Sequence, residues 1–209
     1  METLSGLLVG IGTGVFITWF PGMLNMQAVA TACRVGKQRA YVFSAGLATV
    51  IAGQATLAVF FAGVFTRNPA FLTGIKEWAI PLFLALAAVF TAKGFRARAA
   101  RKASIEQPYK GGPFWRGLMM SMMNILNIPL LLGIAGWLIA AGYLAPGFWP
   151  RLAYIPGTGL GALLIFFLYA RLAEWISKNA AFFTRNINFF LGGLFVLLAA
   201  IQAWRIWEA

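Results

Sequence analysis

Five side-chain amides sit where this sequence could bind a ligand: Asn25, Gln27, Gln54, Asn124 and Asn127. An amide offers two N–H donors and a carbonyl acceptor without carrying charge, so it can hold either end of a small zwitterion. Four of the five lie beside helix-breaking residues. Asn25 and Gln27 follow Pro21-Gly22 in the run F-P-G-M-L-N-M-Q, and Asn124 and Asn127 precede Pro129 in N-I-L-N-I-P. Proline removes a backbone donor and glycine loosens the chain, so Pro21, Gly22 and Pro129 mark expected helix breaks rather than side chains that touch a ligand. The residues that are missing narrow the chemistry further. There is no His and no Asp, and the five acids, Glu2, Glu77, Glu106, Glu174 and Glu208, fall at the ends or connections of apolar segments. Triads, aspartyl dyads and zinc sites have no residues to build them, so no catalytic residue, metal or cofactor is expected. The single cysteine, Cys33, excludes an intrachain disulfide.

The elements that must position these amides are apolar helices. The chain is 61% hydrophobic and 11% charged, with a mean hydropathy of +0.79. That balance marks an integral membrane protein. Six spans are expected, at about Leu4–Cys33, Ala40–Val64, Trp78–Phe95, Phe114–Leu144, Leu152–Trp175 and Ile187–Trp204. The first and fourth should be broken near mid-membrane. In hydrocarbon, backbone groups freed by a break survive only where protein or a water-filled cavity satisfies them. Two broken helices in corresponding positions of two halves point to a substrate site. Gly6, Gly10 and Gly14, at four-residue spacing, read as a packing face. Pro156 with Gly157, Gly159 and Gly161 suggests a flexible, closely packed start to the fifth span. Gln54 lies inside the second span, where an interhelical hydrogen bond and a place in the site wall are both open to it. The other amides have the same plain alternative, joining helices.

The net charge of +12 follows from 17 basic residues against five acids. Thirteen of the 17 fall in three alternate connections, around Arg34–Arg39, Lys93–Arg116 and Arg171–Arg185. This alternation is a topology signal and not a nucleic-acid footprint. It places both termini outside and the Arg96 to Pro113 connection in the cytoplasm. Spans one to three and four to six then run in opposite senses. The expected fold is an all-α membrane protein of six transmembrane helices arranged as a 3+3 inverted repeat. It forms one transporter domain over 1–209, with half-repeats of about 1–98 and 112–209 joined by the basic connection 96–113. Glu2, with no basic n-region behind it, gives no sign of a cleaved signal peptide.

These residues resemble the lysine-exporter-like superfamily of bacterial amino-acid efflux permeases, the LysE type. The resemblance rests on P-G-M-L-N at Pro21 to Asn25, on R-V-G-K-Q-R-A at Arg34 to Ala40, on Gly46, and on F-W-R-G-L-M-M-S-M-M-N-I-L-N-I-P at Phe114 to Pro129. It departs from the family pattern where Met23 replaces the second proline of P-G-P, where N-I-P replaces N-P, and where Gln54 is the nearest polar residue to an acid usual in span two. The resemblance implies export of amino acids or similar small zwitterionic metabolites across the bacterial inner membrane. The departures argue against a cationic substrate. The partners expected are that small molecule and the lipid bilayer, with a homodimer open as the assembly. A channel should show a repeated filter motif, and none is visible; a non-catalytic membrane assembly protein stays open as an alternative.

Overall fold

A computed structural model describes residues 2–65, 111–125 and 127–178, with isolated helical positions between 81 and 92 and between 192 and 204. The regular elements among the described residues are helices: α1 Glu2–Trp19, α2 Met23–Val35, α3 Lys37–Phe65, α4 Pro113–Met122, α5 Asn127–Ala140 and α6 Phe148–Arg171. A further helical stretch, 173–178, follows α6. The chain divides into two compact units. The first joins Met1–Arg67 to Lys110–Lys178 and holds α1 to α6; the second joins Asn68–Tyr109 to Asn179–Ala209. In the second unit Gly192 lies against Thr91 and Ala87, so its two segments meet at a glycine.

Three of the described helices, α1, α3 and α6, are long and apolar enough to cross a membrane. The pair α4 and α5, bent by 72° at its junction, would make a fourth span. The expected third and sixth spans, with Lys76, Glu77, Lys93, Arg185 and Arg205, lie largely or wholly outside the described residues.

The core of the first unit is a stack of three apolar layers. The first gathers Ala55, Ala58 and Val59 of α3, Leu131, Ala135 and Leu138 of α5, and Tyr154 of α6. The second gathers Leu24, Phe43, Leu47, Ile51, Ala162 and Phe166. The third holds Val29, Ala32, Ala40, Ala170 and Ala173. Layer membership gives the direction of each element. The α1–α2 pair and α6 run from the first layer to the third, whereas α3 runs from the third to the first. The α4–α5 pair passes from the second layer, through Met120, to the first, through Leu131. The two interrupted segments therefore cross the stack in opposite directions, and so do α3 and α6.

Glycines let two helix pairs approach to backbone contact, where dispersion is gained over a wide area. A Cβ at Gly6, Gly10 or Gly14 of α1 would run into the carbonyl of Pro150, Tyr154 or Thr158 of α6. In return, Gly157 and Gly161 of α6 lie against the carbonyls of Leu7 and Ile11. The second seam joins α3 to α4, with Gly46 against the Phe114 carbonyl and Gly117 against that of Phe43. The four-residue glycine spacing of α1 is thus a packing face.

The first break falls where the residue types put it. α1 ends at Trp19, α2 begins at Met23, and Gly22 is the extended N-cap between them. The second break differs from expectation. The helix stops at Met122, and Asn127 already begins α5, with Pro129 in its first turn. The reason is steric. A proline ring collides with the carbonyl four residues earlier, here Ile125, so the disruption lies ahead of the proline; in the first helical turn its missing N–H costs nothing. Pro156 departs the other way, since α6 runs through it without interruption from Phe148. Backbone contact with α1 on both sides of this point holds the helix together.

Candidate functional site

Breaking a helix leaves carbonyls at one end and N–H groups at the other, and each must find a partner inside a membrane. At the first break the carbonyls are closed by side chains. Asn25 Nδ2 donates to the Thr18 carbonyl at 2.7 Å and to the Phe20 carbonyl at 2.9 Å. The Tyr169 hydroxyl of α6 donates to the Trp19 carbonyl at 3.0 Å and lies beside the Asn25 side chain. Thr18 Oγ1 donates back to Gly14 at 2.6 Å, inside the glycine seam. Asn25 is only 3% exposed, so both of its N–H groups are committed to this cap. The N–H groups opposite are left open. Gly22 supplies no side-chain cap, and the first helical bond runs from Met26 N–H to the Gly22 carbonyl at 3.1 Å. The N–H groups of Met23, Leu24 and Asn25 thus have no acceptor among the described residues, and they carry the positive end of the α2 dipole.

The second break has the reverse arrangement. Its turn uses the N–H groups at the start of α5: Asn127 donates to the Asn124 carbonyl at 3.3 Å and Ile128 to that of Ile125 at 3.1 Å. Pro129 has no N–H to offer. Unpaired N–H groups are therefore left at the start of α2 and not at that of α5 among the described residues. Gln54 Nε2 of α3 donates to the Asn124 carbonyl at 3.4 Å, and Asn124 Nδ2 donates to Asn127 Oδ1 at 3.3 Å. Ser121 Oγ donates to the Leu47 carbonyl at 3.1 Å and pins the end of α4 to α3. Gln54 is 5% exposed, and its Oε1 has no hydrogen-bond partner among the described residues.

The structure thus brings Gln54, Asn124 and Asn127 into one hydrogen-bonded group and places Asn25 in another. Both groups border the second core layer. Leu24 adjoins Asn25, Ile51 is one turn from Gln54, and Met120, in the last turn of α4, packs against the same cluster. Gln27 stands apart: it is half-buried, about 200° around α2 from Asn25, and its side chain makes no hydrogen bond among the described residues. Sequence reasoning missed Tyr169, Thr18 and Ser121. A tyrosine in the run F-F-L-Y-A was the available signal, because a phenol in an apolar stretch needs a partner for its hydroxyl.

At the third-layer end of the unit lie Arg34, Lys37, Arg39, Arg171 and Lys178, with Lys37 Nζ 3.3 Å from Glu174 Oε1. Both partners of that pair are exposed, which limits it to about 0–1 kcal/mol. A surface depression of about 570 Å³ opens here, lined in part by Ala32, Gly36, Lys37, Arg39 and Glu174. None of the five amides lines it.

The sequence model of the LysE type translocator family matches residues 15–203, a stretch that contains both breaks and all five amides. The chain belongs to the LysE family. No curated protein and no solved structure shows significant similarity to it. Members of the LysE family are transporters and not enzymes, and with its apolar helices this LysE protein is a multi-pass membrane transporter. The family match begins inside α1, past the first glycines of the α1·α6 seam, and runs on through the second unit.

Proposed function

We propose that this LysE protein exports small neutral or zwitterionic amino acids, or similar metabolites, across the bacterial inner membrane by alternating access. The observation that carries the reading is the pair of interrupted helices whose polar turns border one core layer. A free amino acid has an ammonium and a carboxylate, both costly to strip of water. The open N–H groups of α2 suit the carboxylate. The amide group of Gln54, Asn124 and Asn127 suits the ammonium. Asn25 in this reading holds the first break in shape, and Pro21, Gly22 and Pro129 create the breaks. The opposite running of the two interrupted segments, and of α3 and α6, supports a 3+3 inverted repeat of six spans. With the basic third-layer end in the cytoplasm, both termini lie outside.

Proton coupling ordinarily needs an intramembrane carboxylate or His. The only acid of the described spans is Glu2 at the first position of α1, so export runs down the substrate gradient unless an end carboxylate such as Glu77 or Glu174 couples it. The test is efflux from liposomes carrying the purified protein, with leucine, threonine and lysine compared, together with metabolite profiling of cells lacking it. Efflux and intracellular accumulation of neutral amino acids are expected. Robust lysine efflux with neutral amino acids ignored would refute the substrate class.

A further inference from the structure

The structure assigns the substrate's ammonium group to Gln54 Oε1, an inference that rests on the exporter reading above. Three buried side-chain atoms among the described residues lack a hydrogen-bond partner: Gln54 Oε1, Tyr154 Oη and Arg151 Nε. Two of these have ready explanations. The Tyr154 hydroxyl lies beside the hydroxyls of Thr13 and Thr158, which can rotate to meet it. Arg151 sits in the first turn of α6 at the end of the bundle and is half-buried as a whole. Gln54 has neither remedy. It is 5% exposed, seventeen positions into α3, between Ile51 of the second layer and Ala55 of the first.

Its orientation is fixed by its other end. Nε2 donates to the Asn124 carbonyl, so rotation of the amide to satisfy Oε1 would set two oxygens against each other. The frame behind it is also fixed, because Gly46, Gly117 and the Ser121–Leu47 bond clamp α3 to α4. A buried, oriented amide oxygen without a donor is destabilising unless a ligand or an ordered water completes it. The donor that fits beside a break lined by further amide and carbonyl oxygens is a single ammonium. A hydroxyl in its place would bond without the charge assistance that makes such contacts strong. Gln54 therefore selects amino acids over the matching 2-hydroxy acids.

The experiment measures binding and efflux of the neutral amino acids, leucine and threonine first, each beside its 2-hydroxy acid, on the purified full-length chain. The variants are Gln54→Leu and Gln54→Glu. Leucine removes both the acceptor and the cap on Asn124, whereas glutamate keeps an acceptor oxygen, loses the donor to the Asn124 carbonyl and adds a negative charge. The wild type should bind the amino acid at least about tenfold more tightly than the hydroxy acid. Gln54→Leu should erase that preference, and Gln54→Glu should preserve or increase it. If both variants lose binding alike, Gln54 serves only as a helix cap and the inference falls while the exporter reading stands. If both variants keep the preference, the ammonium is bound elsewhere, with the same consequence. A wild type that neither binds nor exports any amino acid would overturn the exporter reading and this inference with it.

Discussion

Replacing Asn25 by alanine is the most direct test of how the first break is held. The substitution leaves the carbonyls of Thr18 and Phe20 without the donors that now lie 2.7 and 2.9 Å away, at a position only 3% exposed. Orphaning a buried acceptor in a water-soluble protein costs about 1–3 kcal/mol. Hydrogen bonds inside membrane bundles average about 0.6 kcal/mol, with a maximum near 1.7, because the unfolded helices find other partners. Two such bonds therefore bring the expected loss to about 1–3 kcal/mol, or roughly a 5- to 150-fold shift in the folding equilibrium. Asn25→Asp keeps the shape but sets a carboxylate against two carbonyl oxygens, so it should be the less stable of the two variants. The measurement is reversible denaturation of the purified protein in bicelles, with efflux recorded in parallel. Asn25→Ala protein as stable as the wild type, with only its substrate affinity reduced, would refute the capping role and make Asn25 a direct ligand contact.

Three further outcomes are expected. Gly10→Val and Gly161→Val should each cost about 3 kcal/mol or more and sharply lower accumulation in the membrane, because the new atoms meet the Tyr154 or Ile11 backbone. Gly12→Ala, with nothing within 4 Å of the added carbon, should accumulate normally, and immunoblots of membrane fractions compare the three. Tyr169→Phe removes one bond to the Trp19 carbonyl, so it should lose about 1 kcal/mol of stability and slow efflux more than it lowers abundance. Reporter fusions after Lys102 and after Gly147 should report opposite compartments, cytoplasm for the first; a cytoplasmic C-terminus would contradict the orientation.

How much of this was legible in the sequence depends on whether the determinant was local. Pro21-Gly22 fixes its own break, because both residues act on the backbone where they stand. Pro129 lies past its break and not in it, because its steric effect reaches four residues back, and the interruption falls between Met122 and Asn127. The spacing of Gly6, Gly10 and Gly14 announced a close contact without naming its partner, which is a tertiary fact supplied by Gly157 and Gly161. Gln54 has two readings of equal standing in the sequence; in the structure its Nε2 joins helices, while its Oε1 has no hydrogen-bond partner among the described residues. The run F-F-L-Y-A signals that the Tyr169 hydroxyl needs a partner but not which one. Its bond to Trp19 spans 150 residues, and only packing of α6 against α1 brings the two together.

The two breaks are built on one plan and finished differently. The first half of each interrupted segment is clamped by glycines to a long helix, α1 to α6 and α4 to α3. That same long helix then sends one polar side chain to the carbonyls of the break, Tyr169 in one case and Gln54 in the other. Such correspondence between oppositely running segments is what an inverted repeat would produce. A site that kept the symmetry throughout would present like groups to both ends of a ligand. Here the first break closes its carbonyls and leaves the N–H groups of α2 open, while the second uses its N–H groups and leaves an amide oxygen open. The departure from symmetry thus gives the two sides opposite polarity, which matches a molecule with one charge of each sign. A second positive charge, as on lysine, would find no carboxylate beside the two breaks among the described residues, where the only acid of a described span, Glu2, is the first residue of α1. An uncompensated cation at mid-bilayer costs about 2.5–3.5 kcal/mol on insertion scales. The proposed preference for neutral zwitterions rests on the same asymmetry that leaves Gln54 its acceptor.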